Sequence, residues 1–292
     1  MQIQKSFKGQ SAYGKLYLVA TPIGNLEDMT FRAIQTLKEV NWIAAEDTRN
    51  TGLLLKHFDI PTKQISFHEH NAKEKIPDLI DLLKQGQNIA QVSDAGLPSI
   101  SDPGHDLVKA AIMEDIAVVT VPGASAGISA LIASGLTPQP HIFYGFLPRK
   151  SGQQKQFFEL KKDYPETQIF YESPHRVADT LENMIEVYGD RSVVLVRELT
   201  KIYEEYQRGH ITELLESIAE TPLKGECLLI VEGASQEVED KDEEDLFAEI
   251  QARLQQGIKK NQAIKEVAKI YQWNKSQLYA AYHEWEENQS DD

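Results

Sequence analysis

The sequence predicts two α/β domains followed by a small helical module, within a chain of 292 residues. Runs rich in β-branched residues alternate with segments that repeat apolar residues at helical spacing, which is typical of parallel or mostly parallel sheets. The alternation stops at an acidic run, after which only helical patterns remain. We infer an N-terminal α/β domain at 1–122, a second α/β domain at 123–236, an acidic linker at 237–245 and a helical module at 246–292.

The first domain contains short β-rich runs separated by helical patterns. We predict strands at 16–20, 42–45, 64–67, 88–94 and 116–121. Apolar residues at helical spacing predict one helix around Phe31 to Val40 and another around Ile76 to Leu83. Asn71 is a suitable N-cap for the second helix, and Gly86 a suitable stop.

The second domain repeats this alternation. We predict strands at 141–146, 168–172, 192–197 and 227–233, and helices at 152–162, 175–187 and 211–218. The helical module should contain helices at 246–256, 260–271 and 275–286.

The composition of the chain indicates the cellular compartment in which the protein acts. A single cysteine, Cys227, excludes an internal disulfide and a cysteine-based metal cluster. No apolar stretch reaches the roughly 18 to 20 residues that a membrane-spanning helix needs. The polar N-terminus lacks the apolar core of a signal peptide. We therefore expect a cytoplasmic protein that does not associate with membranes.

The net charge of −15 disfavours a nucleic-acid partner at first sight. The charge is unevenly distributed, however, since the run 237–245 holds seven acids and one lysine. Residues 246–283 hold six basic side chains against two acids, Glu249 and Glu266. A locally basic module thus lies within an acidic chain, and net charge is a poor guide to partners.

Three loops of small residues follow strands of the first domain. They are TPIGNLEDMT (21–30), SDAGLPSISDPG (93–104) and VPGASAG (121–127). Ligands of open α/β sheets bind beyond the carboxyl ends of strands, so these loops predict a sizeable ligand site. The alternative is that they are simply tight turns. None matches a dinucleotide fingerprint or a Walker A loop, which disfavours those ligands.

Eight motifs, in order, carry a family resemblance. They are TPIGNLEDMT, AEDTRNT, FHEHN, SDAGLPSISDPG, VPGASA, FYGFLPRK, YESPHR and RELTKIYEE. From about Gly14 to the C-terminus the chain resembles bacterial 16S rRNA cytidine 2′-O-methyltransferases of the tetrapyrrole methylase superfamily. The resemblance implies a cofactor cleft between the two α/β domains, and a helix-turn-helix-like module after them.

The resemblance also implies the reaction and its participants. S-adenosylmethionine would be the methyl donor, and the acceptor would be a cytidine ribose in the decoding region of 16S rRNA, within the small ribosomal subunit. A homodimer is expected, because superfamily members commonly pair. The cofactor residues carried over by position are Pro22, Ile23, Gly24, Asp94, Ala95, Gly96, Leu97, Ser125, Ala126, Tyr171 and Cys227.

Methyl transfer to a hydroxyl requires positioning and removal of a proton. Two motifs offer a carboxylate beside a cation. Glu46, Asp47 and Arg49 form a polar cluster directly after a strand that should be buried, and Glu198 with Lys201 lies in RELTK. The first set is slightly favoured as catalytic, with a structural ion pair as the alternative. Both sets stay open.

Basic side chains are candidates for contact with RNA. They are Arg149, Lys150, His175, Arg176, Lys265 and Lys269. Phosphate contact would position the substrate rather than specify it, and a solvated face is the alternative.

His68 and His70 would share one face of a strand, yet no further ligand is evident, so no metal is expected.

Two other functions are compatible with this fold. The first is a small-molecule methyltransferase acting on a tetrapyrrole, but such a substrate would not require the basic helical module at the C-terminus. A non-enzymatic nucleotide-binding protein would not need polar residues concentrated in several post-strand loops.

Overall fold

The computed structural model describes residues 1–6, 12–100, 102, 104–235, 242–271 and 273–290. The chain forms two compact units, Met1–Ala234 and Ser235–Asp292. The first unit contains two five-stranded sheets. The second contains helices.

The first sheet is wholly parallel and has the strand order β3-β2-β4-β1-β5. Its strands are β1 (Leu16–Val19), β2 (Trp42–Ala45), β3 (Lys63–Ser66), β4 (Ile89–Val92) and β5 (Val118–Val121). The predicted strands are confirmed within a few residues. Because all strands run in one direction, the loops after β1, β2, β4 and β5 meet at one edge.

Helices cover both faces of this sheet. They are α1 (Phe31–Glu39), α2 (Thr48–His57), α3 (Ala72–Lys84) and α4 (Gly104–Met113), whereas α5 (Ala126–Ser134), which follows β5, packs on the second sheet. Alternate residues of β2 face opposite sides, so Ile43 packs in the cluster that includes α1 and α2, whereas Ala44 packs in the cluster that includes α3 and α4. Asn71 is the N-cap residue of α3, as predicted.

The second sheet has the order β6-β7-β10-β8-β9, and only β6 and β7 are parallel. Its strands are β6 (His141–Phe146), β7 (Thr167–Glu172), β8 (Ser192–Arg197), β9 (Glu205–His210) and β10 (Cys227–Val231). The helices of this part are α6 (Ser151–Glu159), α7 (Val177–Tyr188) and α8 (Ile211–Glu220). Sequence patterns missed β9 because its residues, EYQRGH, are polar. As an edge strand it pairs with β8 only.

Helix α5 belongs to the second sheet in its packing, although it follows the last strand of the first. Ala130 and Leu131 pack with Ile169, Val194 and Ile230 in one buried cluster. A Cβ atom on Gly127 would lie 3.3 Å from the ring of Phe143, so the helix approaches the sheet closely.

The second unit contains α9 (Glu243–Gln255), α10 (Lys260–Ile270) and α11 (Lys275–Ser290), which confirms the three predicted helices. Ala263, Ile264, Val267 and Ala268 form the buried stripe of α10. Residues 237–241 of the expected acidic linker lie outside the described residues. The rest of that run is not a linker: Asp242 caps α9, and acids fill its first turn, where they suit the helix dipole.

No helix in the described part of the chain is long and apolar enough to cross a membrane.

Candidate active site

A cavity of about 720 Å³ lies in the first unit, between loops of the first sheet and strands of the second. This volume is within the range of sites for cofactors and drug-sized ligands. Eight of the residues predicted to bind the cofactor line it: Ile23, Ala95, Gly96, Leu97, Ser125, Ala126, Tyr171 and Cys227. The loops after β1, β4 and β5 therefore meet at one site.

The other three residues of that prediction lie in a neighbouring recess. Pro22, Gly24 and Asp94 line a space of about 280 Å³, together with Asn50 and other residues. Ser93 lines both the cavity and the recess. The two spaces are thus adjacent, separated by the start of the loop after β4.

Hydrogen bonds tie the loops after β1 and β4 together. The backbone N–H of Thr21 donates to the oxygen of Gly96 at 2.9 Å, and the N–H of Gly96 donates back at 3.1 Å. The hydroxyl of Thr21 donates to the oxygen of Ser93 at 3.1 Å. Gly96 has φ +75°, a conformation that suits glycine. One wall of the cavity is therefore fixed by backbone contacts.

Aromatic and apolar side chains form the opposite wall. The ring of Tyr171 lies 5.0 Å from the ring of Phe143 and 5.4 Å from that of Phe146, in edge contacts. Burial raises the pKa of Tyr171. The sequence prediction omitted Phe143 and Phe146, which simple alternation along β6 would place on opposite faces; a register shift between Phe143 and Gly145 brings both rings against Tyr171. Such a wall suits a flat ring of a ligand.

Cys227, at the start of β10, is buried in this wall. Burial raises the pKa of its thiol to about 11. A thiol in this state stays protonated and contributes shape rather than a nucleophile.

The AEDTR motif forms an ion pair at the start of α2. Asp47 is the N-cap residue, and its Oδ1 accepts a hydrogen bond from the backbone N–H of Arg49 at 2.8 Å. The guanidinium of Arg49 contacts Oδ2 at 2.6 Å. Hydrogen bonds from Arg49 lower the pKa of Asp47 to about 2. Neither residue is among those that line the larger cavity.

The preceding residue, Glu46, does line the cavity. Its Oε2 accepts a hydrogen bond from the backbone N–H of Asp94 at 3.2 Å. Burial is the main cause that raises its pKa. The sequence placed Glu46 in the same polar cluster as Asp47 but offered no signal that distinguished the two acids.

The RELTK motif forms a second ionic group. Nζ of Lys201 lies 2.9 Å from Oε1 of Glu198 and 3.0 Å from Oε2 of Glu226. The pKa of Glu198 is lowered, chiefly by a hydrogen bond from the backbone N–H of Glu226 and then by Lys201. Desolvation lowers the pKa of Lys201, but its hydrogen bonds to both carboxylates outweigh this effect and raise it. Lys201 is therefore held as a cation.

The candidate RNA residues have different settings. Arg149, Lys150 and His175 are exposed. Arg176 instead turns inward: its guanidinium donates to the oxygen of Pro148 at 2.7 Å and lies 3.1 Å from Oε1 of the buried Glu172. In the second unit, Lys265 and Lys269 are exposed on α10.

The two histidines of FHEHN do not share a strand face, since β3 ends at Ser66. Their rings lie 5.9 Å apart in the following turn. Among the residues that the structure describes, no group of three or more His, Cys, Asp or Glu side chains is arranged to hold a metal ion.

Comparisons with known proteins agree with this architecture. The family of Tetrapyrrole (Corrin/Porphyrin) Methylases matches residues 15–215. The chain is 71% identical over 286 residues to "Ribosomal RNA small subunit methyltransferase I" of Streptococcus pyogenes serotype M1, covering 97% of this chain and 100% of that protein. It is 50% identical over 287 residues to the protein of that name from Bacillus subtilis (strain 168), covering 96% and 98%.

A solved structure shows the same fold at low identity. Uroporphyrin-III C-methyl transferase from Thermus thermophilus, complexed with S-adenyl homocysteine, aligns with a TM-score of 0.52 and 19% identity. The alignment covers 75% of this chain and 97% of that chain. The resemblance inferred from the motifs and the expected fold class are both confirmed. The chain belongs to the tetrapyrrole methylase family.

Proposed function

We propose that this protein methylates the 2′-hydroxyl of a cytidine in 16S rRNA of the small ribosomal subunit, with S-adenosylmethionine as the methyl donor. The observation that carries the proposal is its 71% identity, over the whole length of the relative, to a protein named as a small-subunit rRNA methyltransferase. The choice of a cytidine 2′-oxygen and of the decoding region comes from the eight motifs. Such a substrate also implies action in the cytoplasm.

The cavity has the properties that the donor requires. Tyr171 and Phe143 offer an aromatic wall for the adenine ring, and Ser125, Ala126 and Gly96 leave space at the opposite loops. When bound, the cofactor supplies a methyl group activated on a sulfonium. The buried Cys227 forms part of the apolar wall.

The remaining task is to place the ribose hydroxyl and take its proton. The smaller recess lies next to the cavity and shares Ser93 with it. We assign this recess to the target nucleoside. The carboxylate of Asp94 and the amide of Asn50, which are 3.1 Å apart, provide an acceptor and a donor for a base edge.

Contact with RNA is assigned to exposed basic side chains. Arg149, Lys150 and His175 are exposed on the first unit, and Lys265 and Lys269 on the second. Arg176 holds a buried carboxylate, which favours a positioning role over direct phosphate contact. Asp47 with Arg49, and Glu198 with Lys201, stay candidates for aligning the substrate.

The direct test is to incubate the protein with tritiated S-adenosylmethionine and small subunits that lack the modification, and then to map the labelled nucleotide. We expect label on one cytidine ribose. Naked 16S rRNA and a tetrapyrrole are the comparison substrates. Label on the tetrapyrrole alone would contradict the proposal, and label on a base rather than a ribose would contradict its 2′-oxygen target.

We also propose a homodimer. Ile128 and Ile132, on α5, are 45% and 75% exposed, which leaves an apolar strip on the surface of the isolated chain. Light scattering at micromolar concentration should give twice the chain mass of 33.0 kDa. A mass equal to one chain would contradict the dimer without affecting the proposed reaction.

A further inference from the structure

We propose that Glu46 is the catalytic base that accepts the proton of the substrate hydroxyl. The inference rests on the proposed function, because it assigns a step of that reaction. Glu46 follows β2 directly, so a strand fixed by β3 and β4 on either side positions its backbone. Its side chain lines the cavity at the boundary with the smaller recess, next to the loop of Ser93 and Asp94. This is where the donor and the ribose would meet.

Four carboxylates line the cavity, and their existing partners separate them. Asp102 is fully engaged in holding its own loop. Its Oδ1 accepts from the side chain of Gln91 at 3.0 Å and from the backbone N–H of Gly104 at 2.9 Å. Its Oδ2 accepts from the backbone N–H of Ser99 at 2.6 Å. A carboxylate with both oxygens committed to such bonds is a structural anchor.

Glu172 and Glu226 are also committed elsewhere. The side chain of Glu172 is fully buried, pairs with Arg176 at 3.1 Å, and accepts from the hydroxyl of Thr180 at 2.9 Å. Glu226 pairs with Lys201, and its side chain is 79% exposed. Both carboxylates are thus already paired with a cation, the first in the protein interior and the second largely in solvent.

Glu46 differs from all three. Its Oε2 accepts one long hydrogen bond, from the backbone N–H of Asp94 at 3.2 Å, which orients the carboxylate without neutralising it. Within the described part of the chain, Oε1 has no hydrogen-bond partner. The side chain is half-buried, so it is shielded from water yet accessible from the cavity. One oxygen is thus held and the other is available for a proton.

Electrostatics support the same assignment. Burial raises the pKa of Glu46; the hydrogen bond from Asp94 opposes this, and the nearby charges of Asp94, Asp102 and Asp47 raise it further. The neighbouring Asp47, by contrast, has a pKa of about 2 because Arg49 pairs with it. A carboxylate with a raised pKa is the better proton acceptor near neutral pH.

In the proposed step, Glu46 takes up the proton that the substrate hydroxyl loses. The hydroxyl O–H bond breaks, and its proton passes to Oε1 of Glu46. The hydroxyl oxygen forms a bond to the methyl carbon as the bond from that carbon to sulfur breaks, and that bond's electron pair stays on sulfur. The protonated Glu46 then releases its proton to water before the next turnover.

The test compares Glu46→Gln with Glu114→Gln, a matched change at an exposed carboxylate that pairs with Lys84 and does not line the cavity. Both variants should bind S-adenosylmethionine with a Kd within about threefold of wild type, measured by calorimetry. Single-turnover methylation of small subunits should be slower by roughly 100-fold or more in Glu46→Gln. It should be nearly unchanged in Glu114→Gln. Glu46→Asp keeps the carboxylate and should recover part of the rate.

Two further readouts exclude a merely structural role. The wild-type rate should rise with pH through the pKa of Glu46, and this rise should be absent in Glu46→Gln. Carbon-13 NMR of labelled glutamate carboxyls should show one resonance that titrates above the normal range and disappears in Glu46→Gln. This measurement is independent of activity.

The outcomes separate the two proposals. An active wild type with an equally active Glu46→Gln would overturn the assignment of Glu46 and leave the proposed function intact. A slow variant that keeps the wild-type pH profile would also overturn it. A folded wild type that binds the donor but labels no small subunit would overturn the proposed function, and the base assignment with it.

Discussion

A Cβ atom on Gly24 would lie 2.7 Å from Cγ of Lys201, so the loop after β1 touches the RELTK loop of the second sheet. The same atom would lie 2.9 Å from the hydroxyl of Thr200. The RELTK loop itself is strained, because Glu198 and Thr200 have φ of +51° and +68°. The close approach at Gly24 thus joins the two α/β parts through side chains that form an ionic group.

Gly24→Val should therefore act on this contact rather than by filling the larger cavity. The new side chain must displace Lys201, which weakens its pairing with Glu198 and overpacks the loop. We expect the free energy of unfolding to fall by about 1–3 kcal/mol. Urea denaturation measures this. Gly152→Ala, where no atom lies within 4 Å of the new Cβ, is the control and should not destabilise the protein. Equal stability of Gly24→Val and wild type would contradict the contact.

Local patterns were sufficient for most of the fold, for reasons visible in individual elements. Every residue of β4 is buried, so its sequence is apolar enough to be identified alone. The stripe of α10 repeats at helical spacing around one core. Helix α2 was missed because Gly52 and a polar first turn hide its pattern, and its start depends on the cap formed by Asp47. Strand β9 was missed because it forms by pairing with β8, and a pattern within β9 alone does not indicate that pairing.

The site was less predictable than the fold because it depends on the direction in which each side chain points. Glu46 and Asp47 are adjacent, and successive side chains at a strand end point to opposite sides. Only the structure shows that Glu46 lines the cavity while Asp47 caps α2. Likewise the sequence grouped Gly24 with the cofactor loops, and the fold brings it against Lys201.

Asp47 should stabilise the fold in a pH-dependent way. Its pKa falls from the usual 3.8 to about 2 on folding, so its contribution is complete above about pH 5 and is lost as the pH falls toward 2. Asp47→Asn should lower the urea midpoint at pH 6, and the difference from wild type should shrink as the pH falls from about 4 to about 2.

Arg49→Met is the matched control for this measurement, because it removes the cation and keeps the carboxylate. It should reduce the same pH dependence, since the side-chain hydrogen bond from Arg49 is the largest cause of the lowered pKa, while the backbone N–H of residue 49 still donates to Asp47. A difference between Asp47→Asn and wild type that stays constant with pH would contradict the ion pair as its source.

Cys227 should react slowly with thiol reagents in the folded protein. With a pKa of about 11, roughly one thiol in a thousand is ionised at pH 8. The side chain is also buried in the cavity wall. Reaction with a disulfide reagent at pH 8 should be complete at once in denaturant and slow without it, and S-adenosylmethionine should slow it further. Fast reaction of the native protein, unaffected by the cofactor, would place Cys227 outside the site.

The C-terminal unit should contribute to the salt dependence of substrate binding. Lys265 and Lys269 are exposed on α10, one turn apart, opposite the stripe that packs in the core. If both contact phosphates, Lys265→Ala with Lys269→Ala should reduce the slope of log K against log salt by about 1–2. Lys265→Arg with Lys269→Arg preserves the charges and should preserve the slope. Filter binding of small subunits across a salt series measures both, with cofactor affinity expected to be unchanged. An unaltered slope in the alanine variant would mean that these lysines are solvated and that other cations hold the RNA.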